Sequence, residues 1–323
     1  MALLLKEGEV RALLTMPMAL EAVEEAFQRQ AASQAIVQPR RRLEAPEKAF
    51  LHYMAAADTV SGYMGMKIYT SVRGALRFLV LLYSAQNGQL LALLEADYVG
   101  QMRTGAASGI ATKYMARADA RTVGIVGTGL QARTQLEAIS AVRKIECIRA
   151  FGRNPERRAE FCQEMSARLA VPVTPAGTAE EAVRGADIVV SATTSSRPVV
   201  QGAWLAPGMH INAIGANFPQ KRELDDEAVR RAAILAVDSV EQSKMEAGDL
   251  IQSFAGDDAR WSGVRELAEI VAGKTLGRTS SQEITLFKSN GIAIWDVAVA
   301  ARVYRIAEER QLGQRILLWE DCG

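Results

Sequence analysis

The chain has 323 residues, 49% hydrophobic and 23% charged, with a formal net charge of +1; that length suits two cores rather than one, and the charge balance excludes the basic surface that nucleic acid or an acidic membrane would need. Three scattered cysteines, Cys147, Cys162 and Cys322, rule out a disulfide framework or a cysteine-rich zinc site and fit a reducing cytoplasm. No apolar run approaches the ~20 residues that a membrane-spanning helix needs, and the opening Met1-Ala-Leu-Leu-Leu-Lys6-Glu7 turns charged too soon for a signal peptide.

In chain order, residues 16–31 predict an amphipathic helix with Ala19, Val23, Ala26 and Phe27 on one face. Strands are expected over 50–54, 65–69, 79–84 and 90–95, with Asn87-Gly88 as a hairpin signal between the last two. A helix of small residues over 99–115 then leads into Arg121-Thr-Val-Gly-Ile-Val-Gly127-Thr-Gly129-Leu-Gln131-Ala132. Here a buried strand stops at a glycine turn and a helical pattern (Leu136, Ile139, Val142) begins at once. Gly127 lets the chain turn sharply, Gly129 leaves room for backbone N–H groups to approach a pyrophosphate, and Ala132 lets helix and strand pack closely. The helix start offers its positive end to the same group. Gly127, Thr128, Gly129, Leu130, Gln131 and Ala132 are therefore candidate dinucleotide contacts; the bland reading is an ordinary strand-to-helix turn.

The next strand, 146–151, ends where an NAD site carries a carboxylate for the ribose 2′-hydroxyl. This chain has Gly152-Arg153-Asn154 there, with Arg157 and Arg158 following. A guanidinium fork suits a 2′-phosphate, so Arg153 and Asn154 join the candidates, and NADP(H) is favoured over NAD(H). Strands at 171–174, 188–192, 210–214 and 234–238 alternate with helices, the signature of an α/β Rossmann fold with a doubly wound parallel sheet. Thr193, just past a strand, reads either as a ribose or nicotinamide contact or as a helix cap. Asp225 reads as a helix cap, and a long helix rich in Ala and Val is expected over 292–310.

Several motifs now line up. They are Val37-Gln38-Pro39-Arg40-Arg41, Gly65-Met-Lys67, Arg103-Thr104-Gly105-Ala-Ala-Ser108 and the glycine loop, then Gly215-Ala-Asn217-Phe-Pro-Gln-Lys221-Arg-Glu223-Leu-Asp225. Glu283-Ile284-Thr285 and Asn290-Gly291 follow, leading into Ala293-Ile-Trp-Asp296-Val-Ala298. In this order and spacing the chain resembles the ornithine cyclodeaminase/mu-crystallin family over nearly its whole length. That family includes cyclodeaminases, alanine dehydrogenases of an archaeal type, and reductases of ketimines and pyrroline-carboxylates. The resemblance implies a mixed α+β substrate-binding and dimerisation domain over 1–115, completed by 293–323, and a Rossmann domain over 116–292. It also implies a homodimer.

Resemblance further implies that Arg41, Lys67 and Arg103 bind the carboxylate of an amino or imino acid, with Arg40 and Arg42 solvated; a slip of one residue would exchange these roles. Lys67 would also hand a proton to the substrate nitrogen, whereas periodicity alone allows an outward-facing lysine on an alternating strand. His52 falls at a variable, pocket-lining position, where it reads the substrate side chain, titrates near neutral pH, or is structural. Thr104 and Gly291 match cofactor-side positions, and His210 carries no chemistry. Lys288 stands where an acid is expected.

Asn217 is the consequential departure, because cyclodeaminases carry Asp at the matching position. An amide has no accessible pKa, so Asn217 can orient a nitrogen but cannot take its proton. With Lys67 and Asn217 as the catalytic pair, and Asn217 also among the cofactor-side residues, the better expectation is reduction by NAD(P)H of a C=N bond beside a carboxylate: a ketimine, or a pyrroline- or piperideine-2-carboxylate. The reverse reaction is amino acid dehydrogenation. An ornithine cyclodeaminase using His52 or a water as base is the alternative, and a non-catalytic nucleotide-binding protein the second. No metal site is visible.

Overall fold

Two compact units divide the chain, one holding residues 1–103 and the stretch from Gly291 onward, the other residues 104–290. The computed structural model describes residues 1–318, so Cys322 and the end of the expected 293–323 segment lie outside the described residues. The divisions fall at Arg103/Thr104 and Asn290/Gly291 rather than after residues 115 and 292.

The first unit opens with β1 (Ala2–Leu5), α1 (Glu7–Leu13), α2 (Met16–Ala31), β2 (Ala35–Val37) and β3 (Arg41–Ala45). Next come β4 (Ala49–Asp58), β5 (Tyr63–Val72), β6 (Ala75–Ser84) and β7 (Leu90–Glu95), before α3 (Asp97–Met115), inside which the first division falls. Strands β4 to β6 run ten residues each, longer than their apolar patterns predict. Tight turns allow it: Arg73 and Gly74, both at positive φ, join β5 to β6 in the geometry that matches strand twist. Gly88, at φ +74, serves the β6–β7 turn that Asn87-Gly88 predicts.

The second unit carries β8 (Thr122–Val126), α4 (Leu130–Val142), β9 (Cys147–Phe151), α5 (Pro155–Leu169), β10 (Val173–Pro175) and α6 (Ala179–Val183). It continues through β11 (Ile188–Ser191), β12 (His210–Ala213), α7 (Asp226–Arg231), β13 (Ile234–Val237), α8 (Val240–Glu246) and α9 (Gly248–Ser253). β14 (Arg265–Glu266), α10 (Leu267–Val271) and β15 (Thr285–Lys288) complete it. Its eight strands are all parallel, in the order β10-β9-β8-β11-β12-β15-β13-β14. Both faces are covered, so β11, β12 and β13 are buried at every residue; β13 is an unbroken apolar run, while β11 ends in Ser191 and β12 buries His210 and Asn212. β15 slots between β12 and β13, an insertion that the sequence pattern does not announce.

The first unit is completed by α11 (Ala293–Glu309) and β16 (Gln314–Ile316). Its sheet runs β16-β1-β7-β6-β5-β4-β2, with β3 also paired to β4. α11 lies on one face of β4, β5 and β6 and packs against α2. Gly65 lets it approach, since a Cβ there would meet Leu81 O at 2.6 Å and Val297 Cγ2 at 3.1 Å. Ile294, Val297, Val299 and Val303 are buried, each worth about 1.5–3 kcal/mol by transfer from water. Trp295 meets Phe27 of α2 edge-on at 5.2 Å.

Candidate active site

Pairing fixes which side chains share the face under α11. Met54, Lys67 and Val80 form one row across β4, β5 and β6, and His52, Tyr69 and Phe78 form the next. Lys67 is 2% exposed, so its side chain points inward and not to solvent. Its ammonium donates to Asp296 Oδ1 at 2.9 Å and lies 5.1 Å from the Phe78 ring. Arg103 Nε reaches the same Asp296 oxygen at 3.2 Å, and its guanidinium faces the Trp295 ring at 5.7 Å. Asp296 sits in the first turn of α11, where the helix dipole also favours negative charge.

A third cation corrects the expectation for Arg41. Arg40 is the buried guanidinium (5% exposed), donating to the Gly291 carbonyl at 3.1 Å and to Met54 Sδ at 3.6 Å. Arg41, paired in register with Tyr53, is exposed. Successive residues of an extended chain point to opposite sides, so Arg40 and Arg41 cannot both face the cluster, and Arg40 is the one that does. Gly291, at φ +80, is the hub of this group: Arg40 bonds its carbonyl, and a Cβ on it would collide with the Arg103 guanidinium. The first unit thus places Gly291 among the cations.

Lys67 and Arg103 share one oxygen of Asp296, and Arg40 is near enough to act on Lys67. Burial pushes Lys67 down to about 8; Asp296 opposes that fall, while Arg103 and Arg40 add to it. Such a cluster receives an anion, and a lysine poised near 8 can give up a proton at ordinary pH. His52 stacks parallel on Tyr69 at 4.3 Å and is 2% exposed. Burial, with Arg42 and Arg40 nearby, lowers it to about 4, so of the readings open for it titration near neutral pH is the one this setting disfavours.

In the second unit, Gly127 turns at φ +110, and a Cβ there would collide with the Ala192 carbonyl. Gly129 caps α4 without any side-chain bond, and nothing lies within 4 Å of where its Cβ would stand. Leu130 is exposed, Gln131 half-buried and Ala132 fully buried against the sheet. Gly152 packs on Thr128, whose hydroxyl would meet any Cβ there. An uncapped helix start beside open space is what a pyrophosphate group needs, so these residues fit a dinucleotide. Thr104 is buried in α3, where Gly105 packs on Thr134 of α4.

At the end of β9, Arg153 is exposed. Asn154 is the cap of α5, its side chain accepting from Arg157 N at 2.8 Å, and Arg158 donates to Gly152 O at 3.1 Å. Thr193 directs both its N–H and its hydroxyl to Glu223, at 2.6 and 2.7 Å, which takes that hydroxyl's proton away from a ribose. Asn217 is half-buried in the loop after β12. Asp225 caps α7, and buried His210, held down to about 3 by burial, contacts Thr285 Oγ1 at 2.9 Å. Among the described residues no cluster of His, Cys, Asp or Glu could hold a metal, and no helix is long and apolar enough to cross a membrane.

Sequence alone assigns Asp296 no role, and it gives Arg40 the position in the cluster only if the match slips by one residue. A signal existed for Asp296, the single charge in the apolar run Ile292-Ala-Ile-Trp-Asp296-Val-Ala-Val-Ala-Ala301.

Comparison with known proteins gives a match to the family model described as ornithine cyclodeaminase/mu-crystallin family over residues 2–311. The chain is 39% identical over 325 residues to the alanine dehydrogenase of Archaeoglobus fulgidus, covering 97% of this chain and 98% of that one. Its structure is similar to Thermococcus litoralis Delta(1)-pyrroline-2-carboxylate reductase in complex with NADH and L-proline, with TM-score 0.94 and 38% identity over 97% of this chain and 100% of that one. It is also similar to an archaeal alanine dehydrogenase dimer with bound NAD, with TM-score 0.92 and 36% identity over 98% and 99% of the two chains.

Proposed function

Because the chain belongs to the ornithine cyclodeaminase/mu-crystallin family, we propose that it is an NAD(P)H-dependent reductase of an imine that carries a carboxylate next to the C=N bond, and in reverse an amino acid dehydrogenase. The observation that carries the substrate class is that two buried cations, Lys67 and Arg103, share one oxygen of Asp296, with the buried guanidinium of Arg40 against Met54 of the same row.

The substrate carboxylate is held by Arg40 and Arg103, whose forks suit bidentate bonds to a carboxylate. When bound at the Gly127–Ala132 loop, the dinucleotide supplies the hydride. An imine carbon accepts hydride readily once its nitrogen is protonated. Lys67, lowered to about 8, is the proton donor. Asn217 lacks the pKa to act as a base, which favours net reduction over cyclodeamination. Fixed positive charge and positioning account for most of the acceleration.

Three finer assignments accompany this reading. NADP(H) is preferred, because β9 is followed by Arg153 with no carboxylate there to repel a 2′-phosphate. The enzyme is a cytoplasmic homodimer, supported by its scattered free thiols, Cys147 and Cys162, and by an apolar outer sheet face carrying Tyr53, Ile68 and Leu79. Its small-molecule partner is an imino or amino acid.

The test follows NADPH absorbance with pyrroline-2-carboxylate, piperideine-2-carboxylate, or pyruvate with ammonia or methylamine, and repeats the best substrate with NADH. Steady consumption with at least one imine is expected, faster with NADPH. Ammonia released from L-ornithine with catalytic NAD⁺, without net change in cofactor, would overturn the reductase reading.

A further inference from the structure

We propose that Glu223 is a positioning residue for the redox step, holding the chain segments that leave β11 and β12 in one arrangement. This rests on the reading that a nicotinamide dinucleotide binds along the carboxyl edge of the parallel sheet, where ligands bind in doubly wound folds.

Glu223 is fully buried, and its carboxylate gathers four donors. Ser191 Oγ donates at 3.2 Å, Thr193 N at 2.6 Å, Thr193 Oγ1 at 2.7 Å and Gly215 N at 2.6 Å. Ser191 ends β11 and pairs with Ala213, which ends β12, so one side chain bridges two adjacent strand exits. A Cβ on Gly215 would meet Thr193 N at 2.5 Å and Glu223 Oε1 at 2.6 Å, so these segments are as close as backbone allows.

Glu223 is itself pinned. Its own N–H and that of Leu224 donate to Asp249 Oδ1 at 2.6 and 2.8 Å. Asp249 Oδ2 lies 3.1 Å from Lys288 Nζ at the end of β15, and that ammonium donates to Ala216 O at 2.5 Å. Two acids and a lysine, all fully buried, thus clamp both ends of the 215–223 loop, including the residue before Asn217. Lys288, unexpected as a lysine, has its use here as the counter-charge of Asp249 and the tether of Ala216. Buried ionic groups are poor sources of stability compared with apolar packing; what this set supplies is a fixed loop, and hydride transfer is sensitive to misplacement on the ångström scale.

The experiment compares the full-length wild type with Glu223→Gln and the milder Ser191→Ala. In Glu223→Gln, kcat for NADPH-dependent imine reduction should fall about 10- to 100-fold, the loss that a misplaced reacting group brings. The primary isotope effect with 4-deuterated NADPH should rise. Affinity for 2′-phospho-ADP-ribose, which lacks the nicotinamide, should stay where it is. Ser191→Ala should show the same split on a smaller scale, and it carries the test if Glu223→Gln does not fold. Unchanged kcat in both variants would overturn the proposal, as would loss of 2′-phospho-ADP-ribose affinity in parallel with kcat in Ser191→Ala. A wild type that binds neither NADPH nor 2′-phospho-ADP-ribose would be a different failure, that of the dinucleotide reading itself.

Discussion

Lys67 owes its proton affinity to opposing neighbours. Burial pushes it down to about 8, Asp296 pulls it back up, and Arg103 and Arg40 push it down again. A lysine acting as the acid must carry its proton, so reductive kcat/KM should fall as pH rises through about 8, and the oxidative direction should gain through the same point. Asp296→Asn removes the group that raises the pKa, so both midpoints should move to lower pH, with kcat/KM down about tenfold or more. Rate profiles from about pH 6 to 10 in both directions check this; a midpoint that stays put in Asp296→Asn assigns the proton to another group. The sequence marks Lys67 and Arg103, because each is a cation in an apolar or small-residue setting. Asp296 is marked only as a lone charge in an apolar run, and its partners, 229 and 193 residues away, are not legible. Nor does the sequence set the phase of Arg40-Arg41-Arg42: three adjacent arginines look alike until pairing of β3 with β4 decides which side each one faces.

The strand-to-helix turn after β8 separates backbone geometry from ligand geometry. Gly127 holds φ +110 against the Ala192 carbonyl, so Gly127→Val meets both strain and collision. It should cost about 2–4 kcal/mol and lower Tm by several degrees, with dinucleotide affinity lost alongside. Gly129 has φ −85 and open space where a Cβ would stand. Gly129→Ala should therefore leave Tm within about 1 °C of wild type while weakening NADPH about tenfold or more, because the methyl stands where the phosphate must approach. Thermal melts and fluorescence titration read the two effects, and normal NADPH affinity in Gly129→Ala would move the phosphate site elsewhere. This element was legible because β8, a glycine turn and α4 follow one another with the right periods. β15 was not. Its four residues, Thr285-Leu-Phe-Lys288, carry polar ends, and only their place between β12 and β13 makes all four buried. β3 was silent too, because its Arg41-Arg-Leu-Glu-Ala45 has polar residues on both sides of the chain and shows no apolar face.

At the scale of the whole molecule, the first unit's sheet has two unlike faces. One carries Lys67 and lies under α11; the other aligns Tyr53, Ile68 and Leu79 in one row, with Ile36, Leu43 and Val72 exposed as well. An antiparallel sheet that faces water is ordinarily polar on that side, and monomers seldom leave a contiguous apolar patch of more than a few hundred Å² uncovered. A second copy is the occupant that the proposed homodimer calls for. The wild type should sediment at twice the monomer mass, and its Tm should rise with protein concentration, as coupled association and folding require. A Tyr53→Lys, Leu79→Glu double variant should sediment as a monomer with a Tm independent of concentration. A wild type that is monomeric at micromolar concentration would remove the homodimer. The variant should also lose activity, although neither side chain belongs to the cation cluster. Met54 and Lys67 alternate with Tyr53 and Ile68 along the same two strands, so loosening the outer face frees the backbone that aims the inner one, and the loss should appear in kcat and in the KM of the imine rather than in affinity for NADPH.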